Sequence, residues 1–157
     1  MPCTVGIEIT QSSEYIDLRV VTPCETVELT VQDSVWVAGG DGSAFIRIAG
    51  EPISALRAVY ELHNGAVHPL SADDDDHIDL LAGITLTSAS SGAEVTVQRA
   101  GPLDATGLNL QPGRVWLGMD GALTQTPPET GFDTLLGYAT AEQRLYIDIS
   151  ETILLED

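Results

Sequence analysis

Apolar and polar residues alternate strictly in several short runs near the start of the chain. Residues 5–10, 15–21 and 25–31 each place apolar side chains on one face and polar side chains on the other. This period of two is typical of a β-strand in an antiparallel sheet that is covered on one side only. The first part of the chain is therefore predicted to form short antiparallel strands.

The rest of the chain continues in short apolar runs separated by turn residues. We expect further strands at residues 34–38, 45–48, 56–62, 67–70, 80–87, 94–99, 115–117, 122–124, 132–139 and 145–149. In the last of these, Leu145 and Ile147 alternate with Tyr146 and Asp148, so one face should be buried and the other should meet water. No segment keeps apolar spacing of three and four residues over three turns, and no long helix is expected.

Two dipeptides indicate where neighbouring strands turn back on each other. Asn64-Gly65 and Asp120-Gly121 tolerate the positive φ angles that tight hairpin turns demand. Prolines give the opposite signal, because they cannot donate a backbone hydrogen bond to a neighbouring strand. Pro127-Pro128 should end the second hairpin, and Gly101-Pro102 should end the strand at residues 94–99.

A glycine-rich stretch at residues 39–43 suggests a division of the chain. We expect an N-terminal β segment at residues 1–43 and a C-terminal module at residues 44–157 that forms a compact barrel or sandwich. The fold class is thus all-β. The stretch does not match a phosphate-binding glycine motif, since Phe45 stands where the third glycine should be.

Composition and charge narrow the possible functions. The 157 residues are 43% hydrophobic, and no apolar run approaches the 18 residues of a membrane span, so a soluble protein without a membrane partner is expected. Six Lys and Arg residues against 24 Asp and Glu residues give a net charge of −18, which repels the phosphate backbone of nucleic acids. Solubility alone would account for such an acidic surface.

Candidate reactive groups show no specific pattern. Ser43 lacks the surrounding glycines of a nucleophile elbow, and His63, His68 and His77 lie beside turn signals, where an exposed imidazole is expected. The run Asp73, Asp74, Asp75 and Asp76 is expected to form a solvated tip, because it lacks the glycine and glutamate spacing of a calcium loop. No catalytic, cofactor-binding or metal-binding residue is assigned, and the protein is not expected to be an enzyme.

The two cysteines leave one question open. Cys3 and Cys24 could form a disulfide if their strands bring the Cα atoms within about 7 Å. Reduced thiols are favoured for a chain with no secretion signal. A zinc site is not indicated, because two further ligands at close spacing are missing.

One segment carries a family resemblance. The run LQPGRVWLGMDGALTQTPPETGFDTLLGYA at residues 110–139 resembles the C-terminal module of tailed-bacteriophage head-fibre or capsid decoration proteins, and a weaker similarity extends back to Ile53. The resemblance implies a structural virion protein that binds the major capsid protein on the outer capsid surface. It also implies a homotrimer, made in the host cytoplasm.

The acidic charge agrees with a position away from the packaged genome, and the strands of residues 5–31 could add to a sheet edge of a partner. A different class remains open: a tail-tip or baseplate protein that recognises a host surface glycan. Such a protein should expose aromatic rings, and with two Trp, two Phe and four Tyr we expect most rings to be needed in the core.

Overall fold

The computed structural model describes residues 6–11, 15–21, 26–32 and 44–155. The chain divides into two compact units, Met1–Trp36 and Val37–Asp157. Half of the residues lie in strands and 5% in helices, which confirms the all-β prediction. The helices in the described residues are two 3-10 helices of three residues each. Neither is long and apolar enough to cross a membrane.

The N-terminal unit holds a three-stranded antiparallel sheet. Its strands are β1 (Gly6–Gln11), β2 (Tyr15–Val21) and β3 (Thr26–Gln32), and β2 lies between the other two. The three strands agree with the alternating runs of the sequence. The strand predicted at residues 34–38, the glycine stretch at 39–43 with Ser43, and both Cys3 and Cys24 lie outside the described residues.

A closed five-stranded barrel begins the second unit. Its strands are β4 (Ala44–Ala49), β5 (Ala58–Glu61), β6 (Ala66–Pro69), β7 (Leu81–Thr85) and β8 (Glu94–Gln98), in the closed order β4-β6-β5-β7-β8. The β4–β6 pair is parallel, and the other pairs are antiparallel. A barrel of five strands is narrow, and small side chains fill this one: Ala49, Val59, Val67, Ala82, Val95 and Val97 are all buried.

The Asn64-Gly65 hairpin is confirmed, with a longer loop than a two-residue turn. Gly65 has a φ of +81°, and its N–H donates to the carbonyl of Leu62 at 2.8 Å. Asn64 is not in the positive-φ region. The loop is therefore a three-residue connection with one left-handed glycine, and the Asn64 Oδ1 accepts from the Ala66 N–H at 3.0 Å.

Two further sheets complete the second unit. Strands β9 (Ala100–Asp104), β10 (Gly113–Leu117), β11 (Leu123–Thr124), β12 (Gly131–Asp133), β13 (Leu135–Ala141), β14 (Arg144–Asp148) and β15 (Ile153–Leu155) follow the barrel. Five of them form an open sheet in the order β11-β10-β13-β14-β9, and β12 pairs with β15 alone. The strands predicted at residues 115–117, 122–124 and 145–149 are confirmed within one or two residues.

The structure corrects several predicted strand limits. Residues 132–139 were expected as one strand, but buried Thr134 separates β12 from β13, and its hydroxyl lies 3.0 Å from that of Thr152. Pro102 was expected to end a strand, but it lies inside β9. This is possible because β9 is the outermost strand of its sheet, where a missing N–H costs no ladder bond.

Two other strands begin later in the chain than predicted. The strand expected at residues 56–62 begins at Ala58, because Leu56 adopts a φ of +61° that a strand cannot contain. The strand expected at residues 80–87 is preceded by a 3-10 turn, Ile78–Leu80, and runs from Leu81 to Thr85.

Buried aliphatic residues join the barrel to the open sheet. One cluster contains barrel residues such as Leu70 and Ile84 together with Leu103, Leu117 and Leu145 from the open sheet, all fully buried. The Asp120-Gly121 turn strengthens the junction. Both residues have positive φ, as predicted, but the loop between the strands has three residues, Met119–Gly121, rather than two, and the Gly118 N–H donates to the Ala122 carbonyl across it. The Gly121 N–H donates to the carbonyl of Leu70 at 2.8 Å.

Candidate binding face

None of the described aromatic side chains of the second unit is fully buried. All six of those within residues 44–155 keep part of their surface in solvent: Phe45, Tyr60, Trp116, Phe132, Tyr138 and Tyr146. The buried residues are instead almost all Ala, Val, Ile and Leu. Phe45, Tyr60 and Phe132 pack against the buried aliphatic clusters, so about half of these rings serve the core as we expected. Rings held at a surface are a feature of binding sites, where Tyr and Trp contribute much of the contact.

Two of these rings stand side by side on the open sheet. Tyr138 and Tyr146 are direct partners across β13 and β14, and 41% and 50% of their surfaces are exposed. The row continues in both directions, since Arg114 of β10 pairs with Tyr138 and Pro102 of β9 pairs with Tyr146. Directly paired residues share one face of a sheet, so the four side chains form one line across four strands.

Strand alternation explains why this row faces outward. In β14, Leu145 and Ile147 are almost fully buried, so Tyr146 between them must point to the other side. In β10, Val115 and Leu117 are fully buried, which turns Arg114 and half-buried Trp116 outward. The aliphatic residues thus cover one face of the sheet, and aromatic and charged residues cover the other.

Charged residues border the row. The guanidinium of Arg144 donates to both carboxylate oxygens of Asp104, at 2.6 Å and 3.2 Å. These two residues are cross-strand partners, two residues along β14 and β9 from Tyr146 and Pro102, and therefore lie on the same face. The hydrogen bond and the charge of Asp104 raise the pKa of Arg144 above its ordinary value. Among residues 44–155, Arg114 takes part in no ion pair with a carboxylate, so its charge remains available to a ligand.

A second group of aromatic and imidazole rings lies on the barrel. His68 is the cross-strand partner of Tyr60, with ring centroids 5.6 Å apart, and His77 stacks on the same tyrosine at 4.3 Å. Gly50 leaves the space that the His68 ring occupies, since a Cβ there would overlap the imidazole. Of the three histidines, only His63 has the exposed position we expected for all of them. His68 and His77 are half-buried.

Carboxylates hold these rings in place. Asp74 accepts from the His77 backbone N–H at 3.2 Å, and both of its carboxylate oxygens lie 3.0 Å from His77 Nδ1. Glu51 lies 3.7 Å from His68 Nδ1. Burial, and then the charges of Asp74 and Glu51, raise the pKa of Tyr60 above 10.0. The two carboxylates and the stacking on Tyr60 together fix the positions of both imidazole rings.

The aspartate run is only partly a solvated tip. Asp73, Asp75 and Asp76 are exposed as expected, but Asp74 is half-buried against His77. Within the side chains that the structure describes, no three His, Cys, Asp or Glu residues come together as metal ligands. A shallow groove of about 340 Å³ lies beside the run, and Met119, Thr124 and Pro128 of the segment with the family resemblance line it.

No protein-family model matches the chain, and no curated protein matches its sequence. The resemblance of residues 110–139 to phage virion proteins therefore stays a prediction. The alternation in the sequence correctly predicted that Tyr146 faces solvent. The row itself could not be predicted, because its four residues become neighbours only through strand pairing.

Proposed function

We propose that the protein is a structural virion protein of a tailed bacteriophage that decorates the outer surface of the capsid and acts by binding. The resemblance of residues 110–139 carries this proposal. Within the second unit, the segment is bonded to the chain beside the barrel, since its Gly121 N–H donates to the carbonyl of Leu70, which follows β6.

The proposed attachment uses the N-terminal sheet. Within the described residues, β1 and β3 are the outer strands of that sheet, and each has one edge without a partner strand. An unpaired edge can add a strand of another protein, with backbone hydrogen bonds supplying affinity. The major capsid protein is the proposed partner, and the net charge of −18 favours a site away from the genome.

Attachment to capsids tests this proposal. Capsids stripped of the protein are mixed with the full chain or with a chain that begins at Ala44, and bound protein is measured by co-sedimentation. Circular dichroism establishes that each chain is folded. We expect the shortened chain to fold and to remain in the supernatant. A folded shortened chain that still sediments with capsids would place the attachment on the second unit.

The proposed oligomer is a homotrimer that sits on a threefold position of the shell. Sedimentation equilibrium of the full chain measures this directly, with an expected mass three times the 16.6 kDa of one chain. A mass that stays at one chain up to the highest concentration used would remove the trimer from the proposal.

The second candidate is a tail-tip or baseplate protein that recognises a host glycan. The exposed pair Tyr138 and Tyr146 favours it, because exposed rings were the feature that this function required. Antibody labelling of intact virions distinguishes the two candidates: label over the head supports decoration, and label confined to the tail supports the alternative.

A further inference from the structure

We propose that the row formed by Arg114, Tyr138, Tyr146 and Pro102 is a binding site for a saccharide chain that carries carboxylates. The row lies on the outer face of the open sheet, in direct register across β10, β13, β14 and β9. The inference goes beyond capsid attachment, and it does not depend on where the protein sits on the virion.

The shape of the row suits a linear ligand. Neighbouring strands lie about 4.8 Å apart, so the three steps from Arg114 to Pro102 span about 14 Å, the length of a short oligosaccharide. The rings of Tyr138 and Tyr146 occupy the two central positions. The C–H faces of pyranose rings pack on aromatic rings in the same way as other flat apolar surfaces do.

The charges select the kind of saccharide. Arg114 stands next to Tyr138, and its planar guanidinium can donate two hydrogen bonds to one carboxylate. Asp104 and exposed Asp148 lie on the same face, where their oxygens can accept from sugar hydroxyls. A saccharide that carries a carboxylate beside a stacked sugar fits this mixture of groups. The net charge of −18 opposes every anionic ligand, and it opposes nucleic acid most, because nucleic acid has a charge on every nucleotide.

A protein partner fits the face less well. A stable protein interface buries about 800 Å² on each side around a broad apolar centre, in which arginine is common and Lys, Asp and Glu are depleted. Here the apolar centre is two half-exposed tyrosines, and the carboxylates of Asp104 and Asp148 lie on the same face. Such a narrow apolar strip within charged surroundings matches a sugar chain, which needs stacking along its length and hydrogen bonds at its sides.

A matched pair of probes tests the proposal on the full-length protein. A hyaluronan tetrasaccharide has a carboxylate on every second sugar, and fully N-acetylated chitotetraose is a neutral chain with related sugars. Amide chemical shifts are followed by NMR during titration at about 0.15 M salt, where charges more than about 8 Å apart are screened. We expect the acidic probe to shift amides of β10, β13 and β14, and the neutral probe to bind about tenfold more weakly.

Variants separate stacking from charge. Tyr138→Ala and Tyr146→Ala should each weaken binding of both probes about tenfold. Arg114→Gln should weaken the acidic probe to the level of the neutral one, and Arg57→Gln, which removes an arginine of the barrel region, should change neither. Probe recovered after the titration is analysed by mass spectrometry, and we expect it to be intact.

Three results would overturn the proposal. One is the absence of shifts in these strands at millimolar probe. Another is an equal loss of binding in Arg114→Gln and Arg57→Gln, which would mean that the probe responds only to net charge. The third is a lower oligomeric mass for Tyr138→Ala/Tyr146→Ala, which would make the face a contact between copies of the chain. Capsid attachment is measured separately, so none of these results bears on it.

Discussion

The barrel and the open sheet of the second unit bury their apolar side chains in different ways. The barrel joins β4 to β8, so it has no free edge, and its narrow interior holds Ala and Val. The open sheet covers one face with Leu and Ile and leaves its other face to solvent. The closed barrel has no unpaired strand edge. The open sheet keeps one face in solvent, and Tyr138 and Tyr146 lie on that face. The proposed saccharide site lies on the open sheet for this reason.

The largest expected effect is at the junction of the two regions. In Gly121→Val, the new Cβ would lie 2.4 Å from the Ala58 carbonyl oxygen, at a φ of +71° that a β-branched residue resists. We expect a loss of at least about 4 kcal/mol in unfolding free energy, measured by urea denaturation.

Gly65→Val is the matched control for this change. Gly65 has a similar φ of +81°, but a Cβ there meets nothing within 4 Å. Backbone strain alone should cost about 1–2 kcal/mol. Equal losses in the two variants would show that the turn is not packed against the barrel.

The next largest effect is expected when a buried alanine in each of the two regions is replaced by leucine. Ala82 in the barrel and Ala139 in the open sheet are equally buried, each with 4% of its surface exposed. Ala82→Leu should cost about 3 kcal/mol, because a closed ring of strands cannot widen locally, and Ala139→Leu about 1 kcal/mol. Urea denaturation measures both. The comparison fails if Ala139→Leu proves the more damaging.

A smaller effect is expected in the aspartate run. Asp74→Ala should lose about 1 kcal/mol, because the backbone N–H and the ring of His77 lose their acceptor. Asp75→Ala should change stability by less than about 0.5 kcal/mol, since Asp75 is exposed. Thermal melts of both variants, with and without calcium, check this. A calcium-dependent rise in Tm that Asp75→Ala abolishes would instead indicate a metal site.

The smallest effect at neutral pH is expected at Tyr60. Because the pKa of Tyr60 is raised above 10.0 in the folded protein, folding favours the neutral phenol. The stability that follows from this shift is complete below pH 10 and is lost as the pH rises through the folded pKa. Tyr60→Phe should remove this part of the alkaline decline in stability, measured by urea denaturation between pH 8 and pH 11. An unchanged decline would assign it to other groups.

The alternation of residues was a good guide to which segments are strands. Leu145 and Ile147 face the core and Tyr146 faces water, as expected, because a strand buried on one side must alternate. Prediction failed where a local rule depends on position in the sheet. Pro102 is accepted because β9 is an outer strand, and the sequence does not state which strand lies outside.

The candidate site was harder to predict. His68 and His77 stand at separate turns along the chain, and only the β5–β6 pairing and the 3-10 turn bring both rings onto Tyr60. We had expected most aromatic rings in the core on the basis of residue type alone. The fully buried positions of this unit are mostly aliphatic instead; Phe45, Tyr60 and Phe132 cover the edges of these clusters, and Tyr138 and Tyr146 remain exposed.

By itself, the sequence determined the all-β class, the two hairpin turns and the strong negative charge. These follow from the period of two, from residues that accept positive φ, and from simple counting, all of which are local or additive properties of the chain. Tertiary structure alone decided that five strands close into a barrel, and that Arg114, Tyr138, Tyr146 and Pro102 form one row. Both depend on pairing and register between distant strands, where a shift of one residue would turn every side chain to the opposite face.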